Sequence, residues 1–364
     1  RLAPAQFIVT TVKDVGDGSL RKAIEEANAT PGPDEIGFKK SGTVKLRSDL
    51  PAITESVTIS GPGAAKLKVS GAAEFQIFSI VGEDLDVAIS GLTLTKGAAA
   101  SGGAIYVKNP DGTVTLSNTV ITKNKAIGAK VVEYNYNPGS GGGVAIAAGT
   151  VNIEKSKITG NKAGTLEHFT EYRGGRYIPR SMFWTDGQGG GISVQAGAVL
   201  NLTNTVIRGN EAATGGGIHN AGTTAAEMRS TISRNLANGA YEAAQGGGIF
   251  NANGGTISIV DSKVSGNRAA SPTFFTSLGG YAIVGGGLIV KYPGIGTVIA
   301  VGTGAAASGG GLFNAADGVV SIVASRITGN KAKGGHGEMG ASGDTGPDGT
   351  YDSRRGGRGG IGDV

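Results

Sequence analysis

The sequence predicts an all-β protein built as a solenoid: a parallel β-helix of about nine to ten coils, with an amphipathic helix capping its N-terminal end. Three observations lead to this prediction. A glycine-rich unit recurs along most of the chain, apolar and polar residues alternate within each unit, and no segment with a helical period lies between the units.

The repeated unit has a constant beginning and a constant end. It opens on a glycine pair or triplet followed by an aliphatic residue, and in six of the seven units it closes on an asparagine. An aliphatic residue stands three positions before this asparagine and a serine or threonine five positions before it. This register holds although the unit length varies, so we expect equivalent residues to stack from coil to coil. The openings begin at Gly102, Gly141, Gly189, Gly215, Gly246, Gly285 and Gly309.

Each unit reads as three short strands. Val151 and Ile153 alternate with Asn152 and Glu154, which is the two-residue period of a strand with one buried face. The chain then bends and a third short run leads to Asn161. Turn sequences such as AAGT and ANGGT separate the runs, because glycine adopts positive φ at little cost. A unit of about 24 residues with three strands and three bends fits one turn of a parallel β-helix.

Two rows of asparagine are predicted to stack between coils about 4.8 Å apart and to hydrogen-bond from one coil to the next. The glycine openings fit a tight inner corner without room for a Cβ atom. The second row comprises Asn220, Asn251 and Asn314. The first row, a structural ladder, comprises Asn124, Asn161, Asn210, Asn235, Asn267 and Asn330.

The front of the chain differs from the repeats. The stretch SLRKAIEEANA places Leu20, Ala23, Ile24 and Ala27 on one face of a helix, with Ser19 as its N-cap. A single amphipathic helix before a solenoid is most simply a cap over the first open coil.

The stretches VTTVKDVGDGSLRKAIEEANATPGPDEIGF and LPAITESVTISGPG resemble the CSLREA-type module of secreted bacterial proteins with a right-handed parallel β-helix. The resemblance covers Val9 to Gly63 and departs from the module at Gly18, where the module has cysteine. The later repeats resemble the glycine-rich coils of pectate-lyase-like and polymorphic outer-membrane proteins, although the FxxN signature of the latter is absent. The resemblance implies a right-handed coil and a secreted or cell-surface bacterial protein. It implies no single activity, since this superfamily includes lyases, hydrolases, adhesins and tailspikes.

These features divide the chain into two parts. Residues 1–63 form the cap and the first coils, and residues 64–364 form the β-helix with loop insertions on one edge. The closing RGGIGDV resembles the opening of another coil, so we expect the natural protein to continue past residue 364. An open last coil exposes unpaired backbone and apolar core, which predicts self-association through that end.

Composition narrows the possible partners. The chain has 67 glycines and no cysteine, which excludes a disulfide framework and fits a bacterial exterior. The formal charge is +5, and the basic residues read as scattered among the acidic ones, so no nucleic-acid partner is expected. No apolar run reaches the roughly 20 residues of a transmembrane helix. The sequence predicts no cofactor and no metal site.

The units differ mainly between the closing asparagine and the next glycine opening, where insertions enter. All insertions enter at one bend and leave one edge of the solenoid, which in repeat proteins is often the binding surface. They contain most of the tyrosines and the single tryptophan, and such rings suit sugar faces. Alternatively, the rings pack the insertions onto the solenoid, and the arginines beside them are solvated. The candidate ligand-binding residues are Tyr134, Tyr136, Tyr172, Arg173, Arg176, Tyr177 and Trp184.

One repeat departs from the pattern. Glu227 stands eight residues before the closing asparagine, where other repeats have an aliphatic residue, and His219 stands where the neighbouring coils have Phe250 and Phe313. On one interpretation, His219 and Glu227 form a catalytic couple, because a buried carboxylate has a perturbed pKa. On the other, the strand slips by one residue, Met228 fills the core and Glu227 faces water.

Two functions remain open. The first is a non-catalytic rod, secreted or on the cell surface, that presents loops to a glycan, a matrix or other copies of itself. The alternative is a polysaccharide lyase or glycoside hydrolase that acts on the loop-bearing edge. Hydrolysis needs two carboxylates about 5–9 Å apart, and the strand positions carry no stacked pair of aspartates.

Overall fold

The computed structural model is a parallel β-helix with a single helix near its N-terminus. Successive coils pair through parallel strands in three large sheets, which confirms the predicted fold class. The structure describes residues 4–132, 135–137, 139–173, 176–184, 187–238, 243–270, 286–291, 297–302 and 307–333.

The first sheet, called the long sheet, has 15 strands. Its main path runs through Gln6–Val9, Asp34–Phe38, Val57–Ser60, Asp86–Ser90, Ile105–Ser117, Val144–Glu154, Ile192–Val194, Ile218–Asn220, Ile249–Asn251 and Leu312–Asn314. The strands that pair beside this path are Phe78–Val81, Val199–Thr203, Thr223–Glu227, Thr256–Val260 and Val319–Val323.

The second sheet has nine strands, one for each coil, and every aliphatic residue at the centre of a strand stacks on the next. Its strands are Gly42–Lys45, Leu67–Ser70, Thr93–Thr95, Val120–Thr122, Lys157–Thr159, Val206–Arg208, Thr231–Ser233, Lys263–Ser265 and Arg326–Thr328.

The third sheet also has nine strands, some of which extend beyond the coil as hairpins. Its strands are Ala98–Ala99, Lys125–Val132, Asn135–Asn137, Lys162–Arg173, Arg176–Trp184, Glu211–Ala212, Leu236–Ala237, Arg268–Ala270 and Lys331–Lys333. Two further pairs are Ala244–Gln245 with Ala307–Ser308, which is parallel, and Gly286–Lys291 with Thr297–Gly302, which is antiparallel.

The interior of the solenoid is a set of aliphatic columns. Ile121, Ile158, Ile207, Ile232 and Val264 form one of them, and each is buried. Each fully buried side chain of this size contributes roughly 1.5–3 kcal/mol through removal from water. The hydrophobic core therefore runs along the solenoid axis.

The closing asparagines form a continuous hydrogen-bonded ladder. In each step the backbone N–H and the side-chain Nδ2 of one asparagine both donate to the Oδ1 of the next. For Asn161 and Asn210 both donor–acceptor distances are 2.9 Å. The same Nδ2 also donates to a carbonyl of the preceding coil, so its second hydrogen is satisfied too. The row runs through Asn124, Asn161, Asn210, Asn235, Asn267 and Asn330.

A second ladder joins the other asparagine row. Asn220 Nδ2 donates to Asn251 Oδ1 at 2.8 Å, and Asn251 Nδ2 donates to Asn314 Oδ1 at 2.7 Å. A hydroxyl row supports the bend before the second sheet, where Thr119 N donates to Ser156 Oγ at 3.0 Å. The buried polar groups of these rows are therefore paired between coils, as low-dielectric surroundings require.

The glycine openings pass directly over the asparagine ladder. Gly189 has a φ of +65°, which favours glycine. A Cβ on Gly190 would collide with the backbone of Glu211, and a Cβ on Gly191 would lie 3.0 Å from Asn210 Nδ2. The inner corner predicted from the sequence has no room for a side chain.

The N-terminal helix, Leu20–Ala29, buries Leu20, Ala23, Ile24 and Ala27 against the first coils, and Ser19 Oγ accepts from Lys22 N at 3.2 Å. Gly18 has a φ of +70°, and a Cβ there would collide with Thr10 Oγ1. The position where the CSLREA-type module carries cysteine therefore requires glycine in this chain.

Hydrogen bonding continues across residue 63, since Gly42–Lys45 pairs with Leu67–Ser70 and Val57–Ser60 pairs with Asp86–Ser90. The N-terminal part is thus continuous with the solenoid.

One predicted coil opening is wrong. The GGGL sequence at Gly285 matches the repeat, but Gly286–Lys291 pairs antiparallel with Thr297–Gly302. The next coil is instead the one that contains Leu312, which pairs with Ile249. The motif at Gly285 therefore lies within an insertion. It has no closing asparagine, so it lacks the residue that would bind it to the ladder.

We predict that Asn210→Ala destabilises the protein by about 2–5 kcal/mol, because two buried donors of Asn161 lose their acceptor at about 1–3 kcal/mol each. The control is Asn201→Ala. Asn201 is half-buried, and its side chain makes one hydrogen bond, to Asn152 at 2.9 Å, so we expect a loss of at most about 1 kcal/mol. Urea unfolding followed by circular dichroism measures both. Equal losses would contradict a structural role for the ladder.

Candidate functional site

The predicted loop insertions contain antiparallel β-hairpins. Lys125–Val132 pairs with Asn135–Asn137, and Lys162–Arg173 pairs with Arg176–Trp184 over nine register positions. In both cases the first strand begins in the third sheet, just after a ladder asparagine, and then leaves the coil. Parallel pairing with the next coil ends where the hairpin begins.

The register of the larger hairpin divides the predicted set of rings. Tyr172 is the register partner of Tyr177, and Arg173 is the partner of Arg176. Trp184 pairs with Thr165 at the base. Trp184 is therefore separated along the register from both the tyrosine pair and the arginine pair.

The smaller hairpin carries one further candidate in the described part of the chain. Tyr136 is the register partner of Lys130. Tyr134 lies outside the described residues.

His219 lies in an aromatic column on the long sheet. Its ring stacks on Phe250 with centroids 5.0 Å apart, and Phe250 stacks on Phe313 at 5.2 Å. The preceding register partner is Ser193, whose hydroxyl accepts from Ser140 Oγ at 3.0 Å. The column therefore changes from the small residues Ala145 and Ser193 to stacked rings at His219.

Burial changes the acid–base behaviour of this histidine. Loss of hydration is the largest cause and lowers the pKa of His219 from 6.5 to about 4, against a smaller opposing effect of a backbone hydrogen bond. Its Nδ1 atom is buried and has no hydrogen-bond partner among the described residues. His219 is therefore neutral at pH 7 and packs as an aromatic ring.

The structure does not bring His219 and Glu227 together. Glu227 is exposed and pairs with Thr203 at the far end of the long sheet from the His219 column. The strand does slip, and Glu227 does face water, but Ala226 fills the core beside Leu202. Met228 is 62% exposed, so its predicted place in the core is wrong. The extra residue enters the following bend, where Met228 and Arg229 both have positive φ, 49° and 67°.

This enlarged bend borders a cleft that sequence reasoning missed. Its volume is about 310 Å³, and Arg229, Lys263 and Arg326 line it together with Asp261. The sequence did carry a signal: Lys157, Lys263 and Arg326 all stand four residues before a closing asparagine. Charges compared by their position within the repeat would have shown this alignment.

Within the described ranges, no group of three or more histidine, cysteine, aspartate or glutamate side chains could hold a metal ion. In the same part of the chain, no helix is long and apolar enough to span a membrane.

The architecture defines the class of the protein as a parallel β-helix, a solenoid with an N-terminal helical cap. Scans against protein-family models and against characterised proteins find no match for this chain. The resemblance of residues 9–63 to the CSLREA-type module therefore stays a prediction.

We predict that His219→Phe removes a pH dependence of stability. The folded pKa of about 4 lies below the ordinary 6.5, so the unfolded chain binds the proton first as the pH falls. The free energy of unfolding of the wild type should be highest above pH 6.5. It should fall by about 3 kcal/mol in total between pH 6.5 and 4, and stay constant below pH 4. The phenylalanine variant continues the Phe250–Phe313 stack and lacks this titration.

The measurement is the difference in unfolding free energy between wild type and variant from pH 3.5 to 7.5, which cancels the carboxylates common to both. A difference independent of pH would show that His219 is hydrated in solution.

Proposed function

We propose that this chain is a non-catalytic rod, secreted or exposed on a bacterial surface, that presents its hairpins to a glycan or an extracellular matrix. One observation carries the proposal: both hairpins extend from third-sheet strands that begin directly after a ladder asparagine, at Lys125 and Lys162. The insertions therefore project from one edge of a regular body.

The body suits presentation because its coils are joined by buried hydrogen bonds as well as by aliphatic columns. The ladder pairs each coil with the next at distances of 2.9–3.0 Å. Insertions vary outside this ladder without altering it, and long surface insertions add little closure entropy.

Within the larger hairpin, the register favours two distinct sets of ligand contacts. The Tyr172–Tyr177 pair offers rings of the kind that pack on sugar C–H surfaces. Arg173 and Arg176, the adjacent register pair, suit an anionic group.

A polysaccharide lyase or hydrolase is the alternative, and it needs a carboxylate pair or a base with a cation near the hairpin edge. The separation of Glu227 from His219 removes the couple that the sequence suggested. We therefore favour binding over catalysis.

Self-association through the last coil is part of the proposal. The strands Leu312–Asn314 and Arg326–Thr328 each pair with one neighbour among the described strands. Ile327 is 38% exposed, whereas Ile232 and Val264 in the same column are buried. An edge of this kind accepts further strands. Residues 334–364, which include the predicted next coil opening, lie outside the described residues.

We predict that replacing residues 166–183 with Asn-Gly abolishes glycan binding and leaves the melting temperature within about 2 °C of wild type. Thr165 and Trp184 are register partners, so a two-residue turn can join them. Glycan arrays on both proteins measure binding, and calorimetry measures melting. A clear fall in melting temperature with binding retained would assign the hairpin to packing.

Two smaller variants refine this test. Tyr172→Ala/Tyr177→Ala removes the tyrosine register pair, and Trp184→Ala serves as the matched control at the base of the hairpin. We expect the first to lose binding and the second to retain it. Incubation with acidic and neutral polysaccharides should release neither reducing ends nor unsaturated products. Product formation would favour the enzyme.

A further inference from the structure

Lysine and arginine are concentrated on one face of the solenoid. The second sheet and its flanking bends, called the basic face, carry at least one exposed lysine or arginine on each of the nine coils. They contain a single acidic residue, Asp261. The basic face comprises residues 42–45, 66–70, 93–97, 118–123, 155–160, 204–209, 228–234, 261–266 and 324–329.

Four cations of the basic face share one outward column with uncharged residues such as Thr93, Val120, Val206 and Thr231. The outward column that contains Lys68 also contains Lys157, Lys263 and Arg326. Lys263 and Arg326 are direct register partners, and like charges placed opposite each other on a sheet are destabilising. A surface that serves solubility alone intersperses positively and negatively charged side chains.

Among the described residues, no ion pair involves a cation of this column. The ion pairs among the described residues are Arg21–Asp14, Lys22 with Glu25 and Glu26, and Lys162–Glu211, all away from the basic face. Glu154 and Glu227 end long-sheet strands at its border without pairing to it. Repulsion is therefore retained on this face although the chain has 28 acidic residues.

The cleft of about 310 Å³ is the point where three cations converge. Arg229 occupies the extra residue of its bend, and its N–H donates to the carbonyl of Asp261 at 2.7 Å. This bond holds the enlarged bend against the next coil and places Arg229 beside Lys263 and Arg326. Arginine presents a planar fork that matches two oxygens of a sulfate or phosphate group.

We propose that the basic face binds a linear glycan that carries sulfate or phosphate groups, with the Arg229–Lys263–Arg326 cleft as its strongest point of attachment. Eight steps of about 4.8 Å give the face a length of about 38 Å, enough for several sugar units. Half-buried hydroxyls of Thr159, Ser233 and Ser265 stand in the neighbouring outward column, where they can pair with sugar hydroxyls.

The same face disfavours nucleic acid. None of its residues is aromatic, so it has no platform on which bases could stack. The face is also separate from the hairpin edge, which leaves from the third sheet after the ladder asparagines. The proposal therefore does not rest on glycan recognition by the hairpins.

Attraction to such a polymer depends on salt. Neighbouring coils lie closer together than the Debye length of about 8 Å at physiological ionic strength, so the charges of adjacent coils act jointly. A polyanion bound to the face releases counterions, and the logarithm of its affinity falls linearly with the logarithm of the salt concentration.

The test compares wild type with Arg229→Gln/Lys263→Gln/Arg326→Gln in titrations with fluorescent dextran sulfate, dextran phosphate and neutral dextran. The control Lys13→Gln/Lys108→Gln/Arg268→Gln removes equal charge from exposed positions elsewhere. We expect the cleft variant to lose at least roughly tenfold in affinity for one or both charged dextrans, with a salt slope smaller by about two to three. The control should change affinity less than about threefold.

Equal losses in both triple variants would overturn the proposal, as would equal binding of neutral dextran. Tighter binding of single-stranded DNA than of either charged dextran, at equal charge, would also overturn it. The Tyr172→Ala/Tyr177→Ala variant should still bind the charged dextran, which separates this surface from the hairpins. Should the triple variant fail to fold, Lys263→Gln tests the same cleft, and an unchanged affinity and salt slope would contradict the proposal.

Discussion

The hydrogen bond from one closing asparagine to the next is the constraint on which the solenoid depends. From Asn161 onward, each ladder Oδ1 accepts from the backbone N–H and the side-chain amide of the preceding asparagine, so the ladder satisfies the polar groups of a buried bend. The glycine openings follow from it, because a Cβ on Gly217 would lie 2.9 Å from Asn235 Nδ2. A motif without that asparagine, such as the one at Gly285, does not become a coil.

The ladder also determines where the chain is free to vary. Inward columns must stay aliphatic and the corner must stay glycine, whereas outward columns and the segments after each asparagine carry no such demand. The hairpins occupy segments that follow a ladder asparagine. The stacked rings and the cations occupy outward columns. Function in this molecule is therefore expected on surfaces that the ladder aligns but does not use.

His219 illustrates how a site can mislead when read along the sequence. It stands eight residues from Glu227, yet stacking places it against Phe250 of the next coil. Desolvation keeps the ring neutral at pH 7 because its pKa falls to about 4. His219, which the sequence suggests as a catalytic residue, is therefore part of an aromatic column.

The sequence by itself determined the fold class, the capping helix and the rows of asparagine, because these depend on local periodicity and on residue types with a single use at a bend. Only the tertiary structure decided where the extra residue of the Glu227 coil goes. Ala226 and Met228 each stand one residue from Glu227, so a shift of one residue in either direction could fill the core position. The sequence carried the alignment of Lys157, Lys263 and Arg326 only as a constant offset from the closing asparagine, and the register of the coils places the three residues in one column. Residues that stand the same number of positions before the closing asparagine lie in one column, because the coils stack in register. This arrangement exists only when the coils are assembled.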